Sequence, residues 1–223
     1  LMAAPQWRNA LRAAEREAHT ESPRTPQAAL TSEVMQAMET ADAATKALLT
    51  LAWVTTARLG DVAQLARGDV VLGSTKKQHG RSGRVMSVLF RKAKTCAKRG
   101  AYTVHTFVSA AQAAHLQEFM AGFAPNDDLF PLKGAAKDGF VAKATAALKA
   151  VDSQLEARSL RRGALQALAE AGATHEELMS FSGHKHVGTL LRYLNWGGVL
   201  GEREARAAAL GAHLAPKPLA RQA

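Results

Sequence analysis

The sequence predicts a mainly α fold with a small antiparallel β-sheet, an α+β domain. Three observations carry that prediction. Apolar residues make up 47% of the 223-residue chain but aromatics only 5%. The core must therefore be built mostly from Ala, Leu and Val, a composition that favours helix over strand. Stretches with capping residues and helical periodicity fill much of the chain. Three short strand-like runs gather between residues 69 and 107.

Residues 1–30 are polar and carry Pro5, Pro23 and Pro26, and the stretch from Thr20 to Pro26 reads as a linker. A short helix ahead of it, with Trp7, Leu11 and Ala14 on one face, and a disordered tail are equal readings. Thr31 or Ser32 would cap a helix over Glu33 to Glu39. Asp42 would cap a longer one reaching Leu59, with Leu48, Leu51, Ala52 and Thr55 on its buried side and Gly60 as its stop. Asp61 would then cap a short helix through Ala66. Asp69 to Leu72, Arg84 to Phe90 and Ala101 to Phe107 read as strands, the second alternating through Val85, Ser87 and Leu89. The polar stretch from Lys92 to Gly100 would join the last two as a hairpin.

Ser109 caps a predicted helix to Gly122. Pro125 to Asp128 reads as a turn, and Leu129-Phe130-Pro131 as a packing anchor. Helices follow at about 138–150, 160–171 and 174–181. Gly172 ends the second of these, and Thr174 with Glu177 forms a capping box for the third.

Lys and Arg number 29 against 19 Asp and Glu, giving a net charge of +10 and a pI of about 10.1. Basic residues cluster at 81–99 and 158–162, which favours a groove for a polyanion over a uniform halo. A merely soluble basic protein is the alternative that charge alone admits. Cys96 is the only cysteine, so no intrachain disulfide and no cysteine-based metal site can form. That suits a reducing compartment, nucleus or cytoplasm. No stretch approaches the roughly 20 apolar residues of a membrane span, and no signal peptide is expected. The chain starts with Leu1 rather than Met, as a fragment of a longer protein would.

The chemistry gathers around Tyr193, one of 2 tyrosines, nine positions after the pair Gly183-His184. Tyrosine has an unperturbed pKa of about 10 and needs help to attack at neutral pH. An anionic phosphodiester gathers further charge in its transition state, which arginine forks stabilise because they stay charged and bind two oxygens at once. The leaving sugar oxygen needs a proton, which a mobile lysine supplies. Arg58 reads as the end of a helix ahead of Leu59-Gly60-Asp61, with Asp61 holding it or capping the next helix. Taken alone, it is more simply a surface arginine at a helix C-terminus. Arg158 and Arg161 share a face at the start of a helix and Arg162 points elsewhere; a surface arginine run is the blander reading.

Lys94, at the hairpin edge, has Lys92 and Lys98 as rivals. On one unbroken helix His184 and Tyr193 would face half a turn apart. They share a site only if the segment breaks, and Gly188-Thr189 is the expected break. The alternative for Tyr193 is an aromatic packed among Leu190, Leu191 and Leu194; for His184 it is a helix-end histidine. His184 and His186 gain no carboxylate or cysteine cluster, so neither a metal nor a cofactor is expected.

In order, these pieces resemble the tyrosine recombinase (phage integrase) superfamily. Ala57-Arg58-Leu59-Gly60-Asp61 looks like its first arginine box, and Lys94-Thr95 like its lysine hairpin. Leu129-Phe130-Pro131 precedes Ser159-Leu160-Arg161-Arg162-Gly163-Ala164, which looks like its second box. Ser182-Gly183-His184 and Tyr193 look like its third box and nucleophile. The resemblance implies the catalytic-domain fold of that family over residues 31–200. Residues 1–30 would be a linker or remnant of an N-terminal DNA-clamping domain, and 201–223 a C-terminal helix and tail. It implies that Arg58 and Arg161 clamp the phosphate, that Lys94 protonates the 5′ oxygen, that His184 contacts the phosphate or assists proton transfer, and that Tyr193 forms a 3′-phosphotyrosyl link. Arg91, Lys92, Lys98, Arg99, Arg162 and Lys185 would bind DNA.

Double-stranded DNA and further copies of the chain, a tetramer on DNA, are the implied partners. Arg158 stands where the family usually has histidine, which puts the acceptor of the Tyr193 proton in question. The segments around Arg161 and Tyr193 look more like recombinases of DIRS-type retroelements than like phage integrases. A DNA-binding homologue with impaired catalysis and a type IB topoisomerase-like relaxing enzyme are the alternatives.

Overall fold

A computed structural model describes residues 26–78, 81–93, 96, 100–131, 139–184 and 190. The described chain runs α1 (Thr31–Thr40), α2 (Ala43–Val54), α3 (Leu59–Val62), a 3-10 turn (Arg67–Asp69), β1 (Val70–Gln78), β2 (Arg81–Phe90), β3 (Tyr102–Ser109), α4 (Ala110–Met120), α5 (Gly139–Val151), α6 (Ala157–Glu170) and α7 (His175–Ser182). The expected mainly α fold with a small antiparallel sheet is what forms.

The centre of the core is α2. Its N-cap is Asp42, which accepts the Thr45 amide at 2.7 Å. Thr45, Ala47, Leu48, Leu49, Thr50, Leu51 and Ala52 are all buried, so the helix is enclosed nearly all round and packs on α5, α6, α4 and α1. Each fully buried leucine contributes about 2 kcal/mol. This helix stops at Val54, not at Leu59 as its sequence suggests. Thr56 takes a positive φ of 52°, which ends the helical path. Gly60 consequently lies inside α3 rather than terminating α2. At the other end, α1 opens with Leu30 donating its amide to the Glu33 carboxylate at 2.7 Å, so neither Thr31 nor Ser32 is the cap.

The sheet has the order β1-β2-β3, antiparallel throughout. Val70 pairs with Val88 and Val88 with Val104, and all three are buried. On β2 the core face is Met86, Val88 and Phe90, while Val85, Ser87 and Leu89 are only half-buried. Tyr102 stacks on Phe90 with ring centroids 5.2 Å apart. Thr106 Oγ1 donates to Val54 O at 2.8 Å, joining β3 to the end of α2.

Ser109 caps α4 by accepting the Gln112 amide at 3.3 Å. Leu129 and Phe130 form the expected anchor. Both are buried, the Leu129 amide donates to Leu65 O at 2.9 Å, and Phe130 packs on Phe119 and Phe140. The expected capping box opens α7, with Thr174 accepting the Glu177 amide and Glu177 accepting the Thr174 amide.

The stretch just ahead of α1 is docked rather than trailing. The Ala29 amide donates to Ser159 O at 3.0 Å, and Ala29 is buried. A Cβ at Gly163 would collide with Ala29 O and lie 2.8 Å from its carbonyl carbon. Glycine is therefore required there by a close backbone approach rather than by a turn.

The predicted helix over residues 7–14, the predicted helix from Glu202 to Leu214, and the remainder of both terminal segments lie outside the described residues. None of the described helices is long and apolar enough to cross a membrane.

Two stability measurements follow from this packing. Gly163→Ala forces the Ala29 strap off α6 and is expected to lower unfolding free energy by about 2 kcal/mol in urea titration. Asp42 has its carboxyl held below the usual carboxylate range, chiefly by the Thr45 amide and with help from Lys143. Its stabilisation is therefore present above the unfolded value near 3.8 and is lost as pH falls through the lowered folded value. Asp42→Asn keeps the cap and is expected to flatten that acid limb in a pH series of thermal melts.

Candidate active site

The site is organised by one buried guanidinium. Arg161 lies in the second turn of α6 with 6% of its surface exposed. Its Nη1 donates to Thr56 O at 2.8 Å and its Nη2 to Ser182 O at 2.5 Å. One side chain thus ties the turn after α2 to the end of α7. The positive φ of Thr56 is rare for a β-branched residue and costs about 1–2 kcal/mol. The charge-assisted bond from Arg161 to the carbonyl it presents offsets that cost.

Two residues beyond each of these carbonyls stands a candidate functional group. After Thr56 comes Arg58. It is the N-cap residue of α3, not the end of the preceding helix. Its guanidinium lies 3.4 Å from the Asp61 carboxylate; 40% of its side chain is exposed, whereas Asp61 is buried. The arginine is held at one edge and open to solvent elsewhere. After Ser182 comes His184. Gly183 caps α7 in the left-handed conformation, φ 67°, and turns the chain back. His184 Nδ1 then lies 2.7 Å from Ser182 Oγ, and the His184 amide donates to the same oxygen at 3.4 Å.

Other candidates fall elsewhere. Arg158 is exposed while Arg161 is buried, so the two do not share an environment despite their spacing. Arg162, expected on a DNA-facing surface, is buried. Both buried arginines rule out the surface-run reading of this cluster. Arg91 is committed to an ion pair, its Nε 2.7 Å from Oδ1 of buried Asp69, and Lys92 lies 4.0 Å from Asp128. Asp69 also accepts the Ala66 amide at 3.0 Å. The ion pairs fix the base of the β2–β3 connection.

Lys94, Lys98, Arg99, Lys185 and Tyr193, and the expected break at Gly188-Thr189, lie outside the described residues. Leu190, three residues before Tyr193, is buried with Leu165 of α6 and Leu178 of α7. That small cluster brings the chain back beside the two helices that carry Arg161 and Ser182.

Ser182, Thr56 and Asp69 were not candidates on sequence grounds. Ser182 carried a signal, a serine separated from a histidine by one glycine. Thr56 and Asp69 carried none, because their roles depend on distant partners.

Among the described residues, no group of three or more His, Cys, Asp or Glu side chains is placed to hold a metal ion. A cavity of about 320 Å³ bordered by Arg67, Val71, Leu72, Arg84 and Met120 contains none of the candidate residues. It carries no weight in locating the chemistry.

No family model matches the sequence, and no curated protein sequence does. Solved structures share its fold. XerA recombinase superposes with a TM-score of 0.55 at 14% identity, over 89% of this chain and 67% of its own. XerH site-specific recombinase, bound to its palindromic difH substrate in a post-cleavage complex, gives 0.55 at 15% identity, over 87% of this chain and 56% of its own. The pre-cleavage XerH complex gives 0.55 at 15% identity, over 85% and 56%. The chain therefore spans about two thirds of XerA and little more than half of XerH. At these identities the likeness establishes a tyrosine recombinase catalytic-domain fold.

Removing the Arg161 guanidinium strands two buried carbonyls. Arg161→Ala is expected to cost about 3 kcal/mol of unfolding free energy. Arg158→Ala, at an exposed position, should stay within about 0.5 kcal/mol of the parent. Chemical denaturation of the two variants side by side checks the contrast.

Proposed function

We propose that the chain is the catalytic domain of a site-specific DNA recombinase that cuts and rejoins strands through Tyr193. The observation that carries this reading is the double hydrogen bond of Arg161, which gathers the approaches to Arg58 and His184 at one place. The fold shared with XerA and XerH recombinases supports it, as does the net charge of +10.

In this mechanism the Tyr193 phenol loses its proton and attacks the phosphorus of a DNA phosphodiester. Arg58 and Arg161 neutralise the charge that builds on the nonbridging oxygens. The P–O bond to the 5′ oxygen breaks, and Lys94 supplies the proton that this oxygen takes. A 3′-phosphotyrosyl link remains. The energy of the broken bond stays in that link, so a 5′ hydroxyl of the same or another duplex can reverse the step without ATP or a metal. Strand exchange between two duplexes requires several copies of the chain on DNA, and a tetramer is the proposed assembly. A recombinase like those of DIRS-type retroelements is the narrower proposal.

Short nicked duplexes that trap the covalent intermediate test the proposal. Wild-type protein should leave a denaturant-resistant protein–DNA adduct, and Tyr193→Phe should leave none. Arg58→Ala and Lys94→Ala should slow adduct formation by roughly 100-fold or more. An adduct that persists in Tyr193→Phe would overturn the assignment. Relaxation of supercoiled plasmid lacking any specific site would favour the topoisomerase reading, and salt-sensitive binding without an adduct the catalytically impaired one.

A further inference from the structure

Arginines dominate the described part of this site, and they cannot accept a proton near neutral pH. Arg58 and Arg161 are suited to binding a phosphate and cannot take the proton that the Tyr193 phenol must lose. Of the described side chains gathered there, His184 alone has an unperturbed pKa near neutrality. Which of its ring nitrogens carries the proton therefore decides what it can do.

One hydroxyl lies within hydrogen-bond distance of the ring. Ser182 is buried. Its Oγ lies 2.7 Å from His184 Nδ1 and also faces the His184 amide at 3.4 Å. The left-handed turn at Gly183 brings the two together. Its carbonyl meanwhile accepts from Arg161, so the serine backbone is fixed independently of its side chain. A serine oxygen has two lone pairs, enough to accept both N–H groups of His184 at once.

We propose that Ser182 is a positioning residue that holds His184 with its proton on Nδ1, so that Nε2 carries the lone pair that accepts the Tyr193 proton. This rests on the strand-transfer reading above. The step balances simply. The phenol O–H bond breaks, an Nε2–H bond forms, and the oxygen keeps the electron pair with which it attacks phosphorus. The transient imidazolium is stabilised by its Nδ1–H bond to Ser182 Oγ, as an oriented partner stabilises any catalytic histidine.

Nitrogen-15 NMR of the imidazole, with His184 assigned by loss of its signals in His184→Gln, reads the tautomer directly. In the wild type, above the titration of the ring, Nδ1 should be protonated and Nε2 not. Ser182→Ala should shift the ring toward Nε2–H. The Ala variant should also slow adduct formation on nicked duplex on the order of tenfold, less than the ~100-fold loss of an acid–base group outright. The acid limb of its pH–rate profile should move while DNA affinity stays unchanged, and Ser182→Thr should restore both.

A wild-type ring protonated on Nε2 overturns the proposal. So does a Ser182→Ala variant with an unchanged tautomer, or one with a changed tautomer but an unchanged rate and pH profile. Absence of any adduct from the wild type would instead sink the strand-transfer reading, with the NMR result still deciding the hold of Ser182 on His184.

Discussion

Burying a guanidinium is costly unless its donors meet good acceptors. Arg161 donates to two backbone carbonyls, and the rest of the site is arranged around that constraint. Thr56 holds a backbone conformation unfavourable for threonine, and its carbonyl meets one donor. α7 ends at Ser182, whose carbonyl meets the other. Neither carbonyl is a catalytic group. Each is the fixed point from which a chemically useful residue, Arg58 or His184, departs two positions later. A side chain proposed to bind phosphate is thereby also the tie between the two segments that carry Arg58 and His184.

The same economy limits how the positive charge of the chain is used. Three of the candidate cations are already paired. Arg91 is held by buried Asp69, Lys92 approaches Asp128, and Arg58 approaches Asp61. These acidic partners orient cations rather than cancel them, because each leaves the paired cation substantially exposed while two of the three acids, Asp61 and Asp69, are buried. An oriented guanidinium loses less freedom on meeting a phosphate than a mobile one.

Where local chemistry decides, the sequence was readable. Asp42, Ser109 and the Thr174–Glu177 pair each cap the helix expected of them, because a cap needs only residues three apart. The three strands and their antiparallel order follow from alternation and short connections. Where remote partners decide, it was not. No breaker marks the end of α2, since Leu51-Ala52-Trp53-Val54 runs straight into Thr55 and Thr56. The burial of Arg161 and Arg162 reverses what arginine usually does. Gly163 looked like part of a motif, yet its need arises from Ala29, far away in the chain. For the site, the motif order located the segments carrying Arg58, Arg161 and His184, but not the serine and threonine between which Arg161 is stretched.

One separation along the chain has a consequence for biosynthesis. Thr56 and Arg161 are 105 residues apart, and Arg161 and Ser182 a further 21. A ribosome releases the N-terminal helices and the sheet well before it releases either later partner. Until Arg161 emerges the Thr56 carbonyl has no guanidinium, and until Ser182 emerges the second carbonyl does not exist. Long-range closure of this kind comes late and is slow compared with helix and hairpin formation. A nascent or truncated chain can therefore own a folded sheet and a well-packed α2 while having no assembled site. The tie through Arg161 closes only once the segment carrying Ser182 has been made.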